Sequence, residues 1–578
     1  MARLDQLAII VGPDMPIDAT IRRMAAESRQ VAYAGLAVVL DDNGVLRGVV
    51  TDGDVRRAFA GGVDWSAPVS TIMVSDPVTV PADLPLDRVP AEVYRRVRRT
   101  GRLISDSIRH ILVTDEAGRL VTIHDFLELL REQDSRSLNV AVLGMGHVGL
   151  TLAASLANQG HFVTGVDVRP EVISRLREGK PHICEAGLTE AVQVNLRRGN
   201  LEFVDGLDER RQSVYIVAVG TPLNADGKPD FDALRAAGET VGLRLYRGNL
   251  VMLRSTVPVG TTCRFFKPLL EQGSNLVAGE DFHLAFTPER AVEGRAMVEL
   301  RTLPQIVGGL TPPCTARAAN FWTTLTPSVV RLQTLEAAEL IKLANNTFRD
   351  LSFAFANEIA LLADAYNIDS FELIAAANRG YPRNPIPQPS PGVGGYCLTK
   401  DSLLLSAPVG KPATTPLLCA VGRRVNEAAA CYPIEVLRRF AEETSRTIAQ
   451  LRVLVIGIAF KGEPETDDMR GSVAVQLAKV LCEEGVTVTG WDAVVAAQAM
   501  TDVGVSPVDD LAAAVGTADA VLIMNNHRAN IDLGLFAGEH GVMPKLIFDG
   551  WSLLDRTEVE AVPGYRYATM GYLTPAKG

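Results

Sequence analysis

Several stretches of this chain set reactive side chains at spacings that chemistry can use. PGVGGYCLTKD (391–401) puts Cys397 behind a run of glycines and follows it with Lys400 and Asp401. Glycine is costly unless φ must be positive or something must approach the main chain closely. Either the thiol sits in a buried turn, or the bare backbone clears room for a substrate to reach it. IKLANN (341–346) carries Lys342 and Asn346 four residues apart, which puts both on one face of a helix. FTPERAVEGRA (286–296) supplies Glu289 and Arg290, and VAVGTPL (217–223) ends a strand at Thr221. A thiol is not needed to dehydrogenate an alcohol. It becomes useful when an aldehyde is oxidised further, through a thiohemiacetal and a thioester that water cleaves.

A hydride acceptor is legible upstream. Gly144-Met145-Gly146-His147-Val148-Gly149 follows the apolar run NVAVLG and opens a helical stretch, and the next strand, FVTGVD, ends at Asp167. This is the context a dinucleotide fingerprint requires: glycines for close approach of the pyrophosphate, a helix N-terminus beneath it, and a carboxylate for the ribose hydroxyls. Asp167 favours NAD over NADP, although Arg169 stands close to it.

The elements that position these groups follow from the pattern of apolar residues. From 138 to about 330, short β-branched strands alternate with helical segments, which predicts a doubly wound parallel sheet. From Thr334 about thirty residues with helical periodicity and no Pro or Gly predict one long helix. A second strand-and-helix array begins at RVLVIGIAF (452–460). The expected architecture is α/β: two Rossmann-like sheets joined by a long central helix and preceded by an α+β module. The expected domains are 1–135, 136–333, 334–445 and 446–578.

The first 135 residues hold a weak repeat. Residues 37–59 and 110–130 share a strand, an acidic-Gly turn, a second strand and Thr-x-x-Asp, so Thr51 and Asp54 match Thr122 and Asp125. Two such halves normally stack into one module. The layout resembles a CBS pair, a nucleotide-sensing module. That resemblance implies an adenine nucleotide held with Thr on phosphate and Asp on ribose, although both residues also suit a plain helix cap. YRRVRRTGR (94–102) carries five arginines that could neutralise phosphate or form a solvated helix face.

Bulk properties exclude other classes. A net charge of -11 argues against a general nucleic-acid binder. Seven cysteines without a CxxC or a Cys/His cluster fit reduced thiols in a cytoplasm and give no metal site. The N-terminus meets acids and proline before any run long enough for a signal or a membrane helix.

Taken in order, GMGHVG, GTPL, RSTVPVGTT, FTPERAVEGRA, IKLANN, PGVGGYCLTKD and GIAFKGEPETDDMRGS resemble the collinear motifs of the nucleotide-sugar 6-dehydrogenases, the family of UDP-glucose, UDP-N-acetylmannosamine and GDP-mannose dehydrogenases. The resemblance covers 138 to about 575. It implies a four-electron oxidation of a sugar's primary alcohol to a carboxylate, using two NAD, for surface polysaccharide synthesis. It makes Cys397 the nucleophile, gives the alkoxide and oxyanion to Lys342 and Asn346, and gives the hydrolytic water to Asp401, Thr221 and Glu289. Val148, Thr221, Thr256 and Lys400 join Gly144, Gly146, Gly149, Asp167 and Arg169 around the cofactor. Glu289, Arg290, Lys342, Asn346, Gly394, Lys461 and Arg470 line the nucleotide sugar, and Arg383 reaches a neighbouring subunit's site, which implies a homodimer or higher oligomer. On this reading the glycines before Cys397 leave space for the sugar carbon, and Lys342 and Lys400 favour the thiolate.

The PER segment is closer to the N-acetylhexosamine branch, whereas Tyr396 and Lys400 around the cysteine are mixed. UDP-N-acetylmannosamine is therefore the expected substrate, with UDP-glucose the alternative. A two-electron hydroxyacid-type dehydrogenase, or a CBS nucleotide sensor with a vestigial catalytic part, would not need the intact set Lys342, Asn346, Cys397 and Asp401.

Overall fold

The computed structural model describes residues 4–27, 31–33, 35–84, 89, 93, 110–125, 137–224, 226–383, 385–407, 409–410, 417–531 and 544–575. The chain falls into two compact units, Met1–Arg136 and Ser137–Gly578.

In the first unit, strands β1 (Ile9–Val11), β2 (Leu36–Leu40) and β3 (Leu46–Thr51) form one sheet, and β4 (Thr79–Pro81), β5 (His110–Thr114) and β6 (Leu120–Asp125) form another. Each sheet has one parallel and one antiparallel pairing, with an irregularity at Val39/Leu40 in the first and at Val113/Thr114 in the second. The turns share their chemistry: the Asp41 carboxylate accepts the N–H groups of Asn43 and Val45, and Asp115 accepts those of Ala117 and Arg119. The repeats also pair with each other, Leu46 N–H donating to Gly118 O (3.0 Å) and Leu120 N–H to Gly44 O (3.3 Å). Leu36, Val38 and Val49 share a core with Leu112, Leu120 and Ile123.

The register corrects the match made through Thr-x-x-Asp. Thr51 lies opposite Leu36 and Asp125 opposite His110, while Gly48 lies opposite Val39 and Thr122 opposite Val113. The counterpart of Thr51 is thus Asp125, and that of Thr122 is Gly48. The shared turn fixes the register, and the Thr-x-x-Asp resemblance is displaced from it by three residues. Thr51 and Asp54 form a capping box on the helix Asp52–Ala60: the Thr51 N–H (2.8 Å) and hydroxyl (2.6 Å) both donate to the buried Asp54 carboxylate, which also takes Arg57. The arginine run at 94–102 lies outside the described residues.

The second unit holds two sheets. The first comprises β7 (Asn139–Leu143), β8 (Phe162–Val166), β9 (Leu201–Val204), β10 (Val214–Val217), β11 (Leu250–Leu253), β12 (His283–Phe286), β13 (Gln305–Gly309) and β14 (Val329–Leu332). Their order is β14-β13-β12-β11-β10-β7-β8-β9. The run β9 to β12 is parallel, and its order changes direction between β7 and β10, the point where such sheets bind dinucleotides. Full parallelism is not met, because β13 runs antiparallel to β12 and starts a reversed two-stranded edge.

The second sheet, β17-β16-β15-β18-β19-β20-β21, is built from β15 (Arg452–Ile456), β16 (Thr487–Trp491), β17 (Ser506–Pro507), β18 (Ala520–Ile523), β19 (Lys545–Asp549), β20 (Tyr565–Thr569) and β21 (Tyr572–Leu573). Between the sheets the Gly- and Pro-free run forms one helix, Leu335–Asp364, capped by the Thr334 hydroxyl, which accepts the Ala337 N–H. This central helix packs against the helices Tyr396–Leu405 and Leu417–Glu443.

Candidate active site

The glycine loop after β7 assigns each glycine a separate duty. Gly144 has φ 93°, and a Cβ there would lie 2.8 Å from the Ala218 carbonyl oxygen. A Cβ on Gly149 would lie 1.8 Å from Gly144 O, so this glycine lets the helix His147–Asn158 close onto the loop. Gly146 N-caps that helix and faces open space, with nothing within 4 Å of its added Cβ. That opening, above unpaired helix N–H groups in the first turn with half-buried Val148, fits a dinucleotide pyrophosphate.

At the end of β8, Asp167 is buried and fully bonded. Oδ2 accepts Met145 N–H (2.9 Å) and Arg169 Nη2 (3.0 Å), and Oδ1 accepts the Arg169 N–H and Nε. Burial pushes its carboxyl up, but the Arg169 guanidinium and these N–H groups win and hold it below the usual range. The Arg169 side chain, which supplies two of these bonds, is 48 % exposed.

Cys397 is the second residue of the helix Tyr396–Leu405. The residue is exposed, although surrounding protein is dense enough that burial acts on its thiol. One turn on, Asp401 is wholly buried. Its Oδ2 accepts the Asn346 Nδ2–H (2.6 Å) and its Oδ1 the Lys400 ammonium (2.9 Å). Lys342, one turn before Asn346 on the central helix, makes no hydrogen bond or ion pair among the described residues. Its charge acts on both Cys397 and Glu289. The sequence therefore brings Cys397, Lys342, Asn346, Lys400 and Asp401 together.

One expectation about this loop holds only in direction, and one is overturned. Burial pushes the Cys397 thiol above its ordinary value; Lys342 and Lys400 pull it down, but Asp401 and Glu293 oppose them, so the lysines do not leave a resting thiolate. Nor do the glycines leave space for the sugar. A Cβ on Gly392 would meet Ala430 Cβ at 2.8 Å, one on Gly394 the Gly471 carbonyl oxygen at 2.7 Å, and one on Gly395 the Phe460 ring at 2.8 Å. Protein fills the volume that the side chains would occupy, and the glycines let the Cys397 loop press against the helix Leu417–Glu443 and the second sheet's loops.

Glu289 is buried, with Oε2 on Arg254 Nη2 (2.6 Å) and Oε1 accepting the Arg290 and Ala291 N–H groups. Burial would raise its carboxyl, but Arg254 keeps it below the usual range. Arg254 is itself buried, donates to Thr287 O and Gln305 Oε1, and stacks 4.5 Å from the Trp322 ring. It was not singled out from the sequence. The available signal was an arginine closing the apolar strand LVML, at the C-terminal edge where α/β sheets build their sites.

The Thr221 hydroxyl donates to the Thr256 carbonyl, while the half-buried Thr256 keeps its own hydroxyl without a partner among the described residues. Arg290 donates to Pro304 O (2.5 Å). Lys461, pushed down by burial, donates to Glu293 O (2.7 Å). Arg470 holds Asp468 through two nitrogens. The Glu293 carboxylate stands 3.8 Å from Arg470 and 4.0 Å from His147, tying the glycine-loop helix to the second sheet's loops. Glu293, His147 and Asp468 were likewise not singled out in advance. Arg383 lies on an exposed stretch against the Tyr381 ring and pairs with none of these groups.

Residues 138–326, 336–428 and 454–556 match the NAD-binding, central and UDP-binding domain profiles of the UDP-glucose/GDP-mannose dehydrogenase family. The chain belongs to that family. It is an NAD-dependent nucleotide-sugar dehydrogenase, and residues 8–61 of the dehydrogenase match the CBS domain. It is 33% identical over 423 residues to the UDP-N-acetyl-D-mannosamine dehydrogenase of Pyrococcus horikoshii, covering 73% of this chain and 97% of that protein. The solved structure of the UDP-D-ManNAc dehydrogenase from that organism superposes with a TM-score of 0.67 at 32% identity, over 75% of this chain and 99% of the other. A UDP-glucose dehydrogenase from Pyrobaculum islandicum gives 0.63 at 28% identity, over 76% and 98%. Among the described residues no helix is long and apolar enough to cross a membrane, and no His/Cys/Asp/Glu group could hold a metal ion.

Proposed function

We propose that the dehydrogenase oxidises UDP-N-acetyl-D-mannosamine at its primary alcohol to the uronate, in two oxidations through Cys397. The observation that carries the chemistry is the exposed Cys397 thiol, one helical turn from the buried Asn346–Asp401–Lys400 cluster. Identity to the Pyrococcus horikoshii enzyme supports the choice of sugar. NAD, when bound, accepts one hydride at each oxidation. The unpaired Lys342 ammonium stabilises the alkoxide. Once the aldehyde exists, Cys397 passes its proton to a base and adds to the carbonyl carbon. The Asn346 N–H not spent on Asp401, together with Lys342, holds the oxyanion. The second oxidation leaves a thioester that water cleaves, returning the thiol. Glu289, locked by Arg254, and the free hydroxyl of Thr256 orient that water; the Thr221 hydroxyl is already spent on Thr256. Arg290, Lys461 and Arg470 bound the nucleotide side.

The enzyme acts in the cytoplasm, within surface polysaccharide synthesis, as a homodimer. The central helix supports the dimer by exposing Phe348, Phe355 and Leu362 at heptad spacing. Arg383 then serves the partner's site. The first unit tunes activity by binding an adenine nucleotide, which the CBS match supports. Nucleotide contact at Thr51 and Asp54 requires opening their capping box.

The test offers UDP-N-acetylmannosamine, UDP-glucose and GDP-mannose with NAD and counts NADH per sugar. Two NADH per UDP-N-acetylmannosamine are expected, with turnover lost in Cys397→Ser. One NADH per sugar, or a Cys397→Ser enzyme that forms uronate at the normal rate, refutes the covalent route; a preference for UDP-glucose refutes the substrate.

A further inference from the structure

A chain of buried polar groups, none used by the chemistry above, runs from the paired long helices to the nucleophile loop. Asp350 on the central helix accepts Arg423 Nη1 (2.8 Å) and Asn426 Nδ2 (2.9 Å) from the helix Leu417–Glu443. Asn426 Oδ1 accepts Asn357 Nδ2 (2.9 Å), back on the central helix. Asn357 Oδ1 then accepts the N–H of Ser390 (2.9 Å), outside both helices. Ser390 closes a tight turn on itself, its hydroxyl donating to Gly392 O (2.8 Å) while Gly392 N–H donates to Ser390 O (2.7 Å). Asp350, Asn357, Asn426 and Ser390 are each at most 3 % exposed.

Buried amides are costly unless fully paired, so a connected network of this kind is retained at a stability risk that an apolar pair would avoid. Its far end explains the retention. Ser390 is followed by Pro391, whose ring packs 2.7 Å from an added Cβ at Gly550, and by Gly392, which has no room beyond Ala430. From that clamp Cys397 stands only five residues on from Gly392. The near end of the loop is set by Asn357, and the far end by the helix Tyr396–Leu405.

The geometry points to Asn357 as a positioning residue: its carboxamide fixes the start of the nucleophile loop to the spacing of the two long helices and so sets where Cys397 stands. It touches neither cofactor nor sugar and acts through Ser390–Gly392. The inference rests on the reading of Cys397 as nucleophile.

The experiment compares full-length wild type, Asn357→Ala, Ser390→Ala and the control Ser352→Ala, which lies on the same helix and bonds only within it. Each is assayed for kcat, both KM values, NADH per sugar, thermal midpoint and the rate of Cys397 alkylation by iodoacetamide. Misplacing a reacting atom by about 1 Å can cost ~100-fold, so Asn357→Ala is expected to lose ~10- to 100-fold in kcat with KM values nearly unchanged. Its alkylation rate should change severalfold, while Ser352→Ala stays at wild type. Ser390→Ala keeps the backbone N–H that Asn357 accepts and removes only the hydroxyl closure of the Ser390–Gly392 turn through which Asn357 acts; it should show a smaller change of the same kind, which keeps the inference testable if Asn357→Ala does not fold. Wild-type kcat and alkylation in Asn357→Ala, or, failing its folding, in Ser390→Ala, overturns the inference. So does a fall confined to the thermal midpoint. One NADH per sugar in the wild type would instead overturn the covalent reading, while the alkylation rates still decide the positioning.

Discussion

Replacing Gly394 by alanine separates two explanations of the glycine-rich loop. The added Cβ would stand 2.7 Å from the Gly471 carbonyl oxygen and 3.4 Å from Val473. The near contact is backbone, so it cannot be relieved by turning a side chain. Gly471 O also accepts the Gly395 N–H (3.1 Å), and pushing the strands apart weakens that bond. Overpacking of this sort costs about 1–3 kcal/mol, and a strained hydrogen bond adds up to ~1 kcal/mol. With ~2–4 °C per kcal/mol for domains of about 150–250 residues, and less for larger ones, the thermal midpoint should fall by several degrees. Cys397, three residues on, moves with the loop, so kcat should fall as well. Gly146→Ala is the counterpart. Its φ is -72° and nothing lies within 4 Å of the added Cβ, so stability should hold while the methyl enters the space taken by the pyrophosphate and the KM for NAD rises ~10-fold or more. Scanning calorimetry and initial rates read both variants. An unchanged midpoint with a raised sugar KM in Gly394→Ala would refute the packing argument and restore the idea that the loop is bare for the substrate.

Asp167→Asn should weaken NAD binding and narrow the preference over NADP, a charge-assisted bond being worth about 1.5–3 kcal/mol; an unchanged NAD/NADP ratio in steady-state kinetics would mean that another group reads the ribose. Glu339, buried on the central helix, is pushed up to about 7 by burial, against three donors from Gly260 and Thr262. The folded state therefore binds its proton more tightly than the unfolded chain, so its cost is absent below about pH 4.5, grows to pH 7 and is constant above. At ~1.4 kcal/mol per unit that is about 3 kcal/mol. The stability of wild type relative to Glu339→Gln should fall by that amount over this window in urea titrations, and parallel curves would exclude it. Deleting residues 1–136 should leave sugar oxidation near the full-length rate, since the second unit closes its own sheets, and should abolish any response to AMP or ATP; loss of oxidation would show that the second unit depends on the first.

The sequence made legible whatever depends on neighbours along the chain. The glycine loop, Asp167 at the end of the next strand, and Lys342 and Asn346 one turn apart on an uninterrupted helix are all local patterns, and each stands where its period puts it. Asp401 joined them because it lies one turn after Cys397. What stayed hidden depends on residues distant in sequence. Whether a glycine faces ligand or protein is decided by Gly471, Phe460 and Ala430, which no local pattern announces. Arg254 pairs with Glu289 across two strands. The thiol's proton affinity is set by burial together with four charges from three segments, two lowering it and two raising it. Thr51 matches Asp125 and not Thr122 for the opposite reason: the shared turn, and not the short Thr-x-x-Asp pattern, fixes the register.

The crossed pairing of the two repeats in the first unit bears on how such a module is inherited. Leu46 and Leu120 each take the carbonyl of the other repeat's turn, and one apolar core is shared between them. A half-module would carry an uncovered apolar face and an unmatched donor at its turn, so neither repeat is a folding unit by itself. A breakpoint between residues 52 and 109 would therefore divide the shared core, whereas one near residue 136 falls between the two compact units.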